Sequence, residues 1–138
     1  AWLSASWHKN QPMSLNHLEN QLIRPMFQDA RIHFGLVCAA KSCPALLAKP
    51  YRAQTVYAQL TKQTQMFFQN ENQVSYRKQE NALVVSKIFT WYEKDFVAAA
   101  GSLRVYLTRE FKRSTGKDIP SNVNILFHEY SWSLNQAP

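Results

Sequence analysis

A chain of 138 residues with 46% hydrophobic and only 18% charged side chains has the size of one domain and can bury about two-thirds of its unfolded surface, which argues against disorder. Three glycines and six prolines exclude a collagen-like or low-complexity sequence. Sixteen Lys and Arg against nine Asp and Glu leave a charge of +7, which favours anionic partners at long range but does not select among lipid, nucleic acid and small anions.

Taken in chain order, the opening Trp2 to His8 arm lacks a basic region and a continuous apolar stretch, so it does not read as an uncleaved secretory signal, and export stays open. No apolar run approaches the ~20 residues that span a bilayer. Met13 to Phe27 carries the first helical pattern, with Ser14 as N-cap, Leu15, Leu18, Leu22, Ile23 and Met26 on one stripe, and Arg24-Pro25 as a stop or kink. In Arg31 to Val37 the alternation places Ile32, Phe34 and Leu36 opposite His33, Gly35 and Val37, which predicts a buried strand. The loop that follows holds both cysteines, Cys38 and Cys43, and ends at Pro44.

A second helix is expected from about Arg52 to Asn70, and Gln73 to Lys78 with Ala82 to Ser86 should form a hairpin around 79–81. Ile88, Trp91, Tyr92 and Phe96 then form one helical stripe that reads as core, with Trp132 closing it from the C-terminal end through its ring. Glu93 and Asp95 diverge on a helix and make a poor carboxylate pair. Gly101-Ser102 opens a helix with Leu103, Tyr106, Leu107 and Phe111 inward, and Asn124 to Tyr130 is the last strand. The expected class is α+β, a small mainly antiparallel sheet packed by three or four helices, in one folding unit spanning 1–138 or the C-terminal part of a larger domain.

Three kinds of chemistry compete at His33, Cys38, Cys43 and the more distant His128. Cys38 or Cys43 could act as a nucleophile with His33 as base, the four residues could hold zinc, or the cysteines could form a disulfide or stay buried as inert thiols. The five-residue Cys spacing disfavours zinc, and a bridge closing so short a loop contributes about 2 kcal/mol in the chain-entropy model. Gly35 would leave room beside the imidazole for a substrate or another backbone. Arg104, Arg109, Lys112, Arg113 and Lys117 read as the solvated face of a helix, with binding of an anionic polymer or membrane surface as the functional alternative and nucleic acid disfavoured. Glycine is too scarce for a phosphate-cradling loop, so nucleotide enzymes are disfavoured and neither metal nor cofactor is expected.

Four segments in order are similar to a bacterial and plant family known as the domain of unknown function numbered 547. They are Leu15 to Phe27 with Arg31-Ile32-His33-Phe34, Cys38-Ala39-Ala40-Lys41-Ser42-Cys43-Pro44, Ser86 to Phe96, and Tyr130-Ser131-Trp132-Ser133-Leu134-Asn135. The chain departs from the family at Val37, where Asn is usual, and at Ser131, where Asp is usual. The resemblance also implies an upstream helical half with a Phe-Trp-x-Asn-x-Tyr-Asn signature that these residues lack. It further implies a periplasmic or extracellular setting. The expected partner is that upstream half or a second copy of the chain, on a surface formed by the Trp2 to His8 arm and the first helix. A papain-like or transglutaminase-like layout is a fold-level analogy.

Overall fold

The computed structural model describes residues 13–136, so the Trp2 to His8 arm lies outside the described residues. Phenylalanine organises the interior. Phe34, Phe67, Phe89 and Phe96 are at most 4% exposed and pack as tilted or edge-on rings, 4.6 Å between the centres of Phe34 and Phe67 and 4.9 Å between Phe89 and Phe96. Ring pairs of this geometry add to the stabilisation from area burial alone. Leu83, Val85, Leu107 and Val123 complete the same core.

The helical rod at the start is an α-turn, α1 (Leu15–His17), a π-helical stretch (Leu18–Ile23) and a second α-turn, α2 (Arg24–Phe27). Ser14 caps it by accepting a hydrogen bond from the His17 amide at 3.1 Å. Pro25 does not end the helix. A proline ring collides with the carbonyl four residues back, and the wider π turn, in which the Arg24 amide bonds the Glu19 carbonyl five residues back, takes up that conflict. None of its residues is buried, and Leu15 and Met26 are largely exposed.

Residues 31–37 do not form a strand. Ala30–Phe34 is a 3-10 helix, started by Asp29, whose side chain accepts from the Arg31 amide. Three residues per turn send Ile32, His33 and Phe34 in three directions, and all three are buried against different neighbours. An alternating hydrophobic pattern cannot distinguish that arrangement from a strand.

The later elements follow the expected order: α3 (Val56–Gln69), β1 (Val74–Arg77), β2 (Ala82–Val85), α4 (Ile88–Trp91), α5 (Glu93–Ala100), α6 (Leu103–Thr115) and β3 (Asn124–Phe127). Ser102 caps α6, and Gly101 and Gly116 end α5 and α6 at positive φ. The class is α+β, but the sheet is mixed. Strand β1 pairs antiparallel to β2 with Val74 opposite Val85, whereas β3 runs parallel to β2 with Leu83 opposite Ile125. The chain leaves β2 at one end and returns to the start of β3 after three helices, the long crossover that a parallel pair requires. No helix among the described residues is long and apolar enough to cross a membrane.

The expected stripe through 88–96 is broken at Tyr92, where φ −114° and ψ 25° separate α4 from α5. Ile88 and Phe96 stay in the core, Tyr92 is half-buried, and Trp91 turns outward to 47% exposure. Trp132 is 68% exposed. Both tryptophans therefore belong to the surface and not to the core.

Candidate binding cleft

The 3-10 turn delivers His33 to the interior with its side chain 1% exposed, and Asp95 on α5 meets it there: Nε2 lies 2.8 Å from Asp95 Oδ2. The same carboxylate is gripped from the first helix by Arg24, whose Nε and Nη2 donate to its two oxygens at 2.9 and 3.0 Å. This two-pronged contact is the strong geometry for a guanidinium and a carboxylate. Arg24 holds the Asp95 carboxyl below its usual range, with His33 reinforcing the effect. Burial pushes the His33 imidazole below its ordinary value and outweighs the opposing pull of Asp95. An ionised carboxylate only accepts, so the neutral ring donates its Nε2–H to Asp95 and keeps a lone pair on Nδ1. No protein atom among the described residues hydrogen-bonds that Nδ1.

Tyr92 stacks on the imidazole with ring centres 3.8 Å apart and planes 18° from parallel. Burial, with the Glu19 carboxylate next, pushes its hydroxyl up to about 12, so the phenol remains protonated. Arg24 thus ties the exposed first helix to α5.

Above these groups opens a cleft of about 390 Å³. Leu15, Leu18, Glu19 and Ile23 form one wall, and His33 and Ile88 contribute to its lining. Trp91, Tyr130 and Trp132 line it as an aromatic cluster, with Tyr130 4.7 Å from Trp91 and 4.6 Å from Trp132 between ring centres. The π-helical stretch supplies three of the lining residues, and such wide turns recur at functional sites.

Cys38 and Cys43 also line the cleft, joined as a disulfide. The Tyr130 hydroxyl lies 3.3 Å from the Cys43 sulfur. The bridged loop is laced to the C-terminal segment: the Lys41 amide donates to the Ser133 carbonyl, the Ser42 amide to the Ser131 carbonyl, and the Ser131 amide to Ser42 Oγ. Ser131, where the family usually has Asp, thus takes part through its backbone.

The structure therefore brings His33, Cys38, Cys43, Trp91, Tyr92 and Trp132 to one cleft, while Phe96 supports it from beneath, 5.6 Å from the His33 ring. A bridged sulfur is neither a nucleophile nor a thiolate ligand, and among the described residues no hydroxyl or thiol hydrogen-bonds His33. No group of three or more His, Cys, Asp or Glu converges on a metal position among the described residues. The room expected beside Gly35 is filled, since a Cβ there would stand 2.7 Å from the Tyr51 hydroxyl and 3.0 Å from Leu60. His128 is not in the cleft; its amide donates to Val85, and burial, with Arg77 next, lowers its imidazole.

The basic helix face is also separate from the cleft. Arg109 and Arg113 share Glu110, Lys112 pairs with Asp118 at 2.7 Å, and Arg104 donates to the Val123 carbonyl. Asp95, Arg24 and Glu19 are the site residues that the sequence did not reveal. Each takes its role from a partner distant in the chain, 71 residues away for Arg24 and Asp95.

No curated protein and no solved structure matches the chain. Residues 7–68 match the model of a family described as protein of unknown function, DUF547. The segments at 86–96 and 130–135 that resemble the same family lie outside that stretch. With the first helix, the histidine turn and the bridged loop all inside it, the chain is consistent with a DUF547 domain.

Proposed function

We propose that this is an exported interaction domain whose cleft receives a polypeptide segment rich in aromatic side chains. One observation carries the reading: Trp91 and Trp132, 47% and 68% exposed, stack 5.6 Å apart at an apolar cleft that also holds exposed Leu15. Apolar side chains gathered at a cleft, and not scattered singly, mark an interaction surface. The disulfide fits a compartment outside the reducing cytosol. The family resemblance supplies the occupant, because the upstream signature Phe-Trp-x-Asn-x-Tyr-Asn is itself aromatic. The domain is then completed by that half, in the same polypeptide or as a separate chain.

Calorimetric titration with a synthetic peptide carrying that signature tests the proposal. Saturable binding is expected, weakened about tenfold or more by Trp132→Ala, as for an aromatic anchor. Absence of saturable heat, or equal affinity in the variant, overturns it. Sedimentation without peptide covers the other occupant: a dimer that Trp132→Ala dissolves would give the cleft to a second copy.

A further inference from the structure

A bridged sulfur cannot act as a nucleophile, but it is an electrophile toward thiolates, and the two ends of the Cys38–Cys43 bridge are not equivalent in that respect. Cys38 is exposed and Cys43 half-buried, and both line the open cleft. Two donors meet the Cys43 sulfur, the Cys38 amide at 3.1 Å and the Tyr130 hydroxyl at 3.3 Å. A bridged sulfur carries no proton, so the hydroxyl is the donor, and burial pushes the Tyr130 phenol up, which keeps it protonated. The Cys38 sulfur has the same hydroxyl only at 4.0 Å.

We propose that the bridge is a thiol–disulfide exchange site, attacked at Cys38 by a thiolate that enters the cleft and opened toward Cys43. The attacking thiolate forms a new S–S bond to Cys38 as the Cys38–Cys43 bond breaks, and the bonding pair departs on the Cys43 sulfur. A second thiolate then attacks the external sulfur of the mixed disulfide and frees Cys38. Two external thiolates leave as one disulfide, and the protein gains the two electrons. The exposed sulfur is the one a reagent can reach. The sheltered one is the better leaving group, because an N–H and an O–H already point at the charge it acquires. Opening also bears on the aromatic cluster: Ala39, Lys41 and Ser42 hold 131–135 through backbone hydrogen bonds, so reduction frees the loop that seats Trp132. The exchange itself does not depend on what occupies the cleft.

The intact protein is incubated with excess glutathione, quenched with N-ethylmaleimide and mapped by mass spectrometry. Glutathione on Cys38 with maleimide on Cys43 is expected; the reverse placement, or no adduct on the folded protein, overturns the proposal. The rate is the second reading. Tyr130→Phe keeps the ring and removes the hydroxyl, and exchange should slow about tenfold, the worth of one hydrogen bond to a developing charge. A bridge reduced only when the domain loosens would exchange equally fast or faster in that variant, and either result sinks the proposal. Cys38→Ser supplies a check free of exchange, since it retains the amide at residue 38 and leaves Cys43 as a single thiol. Alkylation of that thiol by iodoacetamide should persist to lower pH than for an ordinary cysteine, and adding Tyr130→Phe should move the profile upward. An ordinary profile that Tyr130→Phe leaves in place would show that the two donors do not act on the thiolate.

Discussion

Phe96 and Trp91 are five residues apart in the chain, yet Phe96 is 0% exposed and Trp91 47%. Phe96 is enclosed by rings from three other elements, Phe34 of the 3-10 turn, Phe89 of α4 and Tyr106 of α6. Trp91 meets Tyr130 and Trp132, and the cleft lies open in front of it. The same class of side chain therefore serves two purposes, set by how many elements converge on it. Stability resides where several elements close around a ring, and the side left open is the surface proposed above for recognition.

Truncation separates the two kinds of ring most sharply. Phe96→Ala should cost about 3–5 kcal/mol in denaturant unfolding, because a packed ring is lost and its neighbours collapse only partly. Trp132→Ala should cost about 0.5 kcal/mol, as surface changes do. Equal losses would mean that the cleft wall is part of the core.

The disulfide comes next. Replacing both cysteines by serine should lower stability by about 2 kcal/mol through the freed unfolded chain, and the loss should concentrate around Trp132, because the bridged loop carries the hydrogen bonds to Ser131 and Ser133. Tryptophan emission should shift toward that of a solvated indole while α6 remains protected from hydrogen exchange. Uniform loss of protection would show that the loop supports the core and not the cleft.

Arg24→Ala acts on the other wall. The first helix has no buried residue, so its attachment leans on the Arg24–Asp95 contacts and on Arg24 over the Tyr92 ring at 5.2 Å. A loss of about 1–2 kcal/mol is expected for this charged, partly exposed pair. Amides of 18–27 should exchange about tenfold faster, with the α6 amides unchanged.

Much of the interior was legible because local patterns decide it. The spacing of Leu60, Phe67, Leu107 and Phe111, the Ser102 cap and the polar break before Asn81 each act within a few residues. Three features were not, for distinct reasons. Residues 32–34 are apolar enough for either a strand or a tight turn, and only Asp29, two residues before the bonded amide, signalled the turn. The parallel placement of β3 depends on the path of three intervening helices. Asp95 makes only a poor carboxylate pair with Glu93, and its partners, His33 and Arg24, arrive from 62 and 71 residues away. Cys38 and Cys43 line the same cleft as His33, and their chemistry is decided by the bond between them.

Acidification should make the smallest change and is the most specific to the histidine. A His–Asp contact suggests a stability gain as the imidazole protonates, but burial lowers His33 from its ordinary 6.5 despite Asp95. The unfolded chain then takes up a proton at higher pH than the folded one, so the contribution is present above about 6.5 and is lost as pH falls through the lower folded value. His128 acts in the same direction, and Asp95, held down by Arg24 and then His33, adds a second loss below its ordinary 3.8. Unfolding followed between pH 7.5 and 3 should therefore weaken in two stages. His33→Gln should shrink the first stage, leaving the part due to His128, and Asp95→Asn should shrink the second. Stability that rises between pH 7 and 5 would mean that Asp95 outweighs burial and that the folded ring is charged.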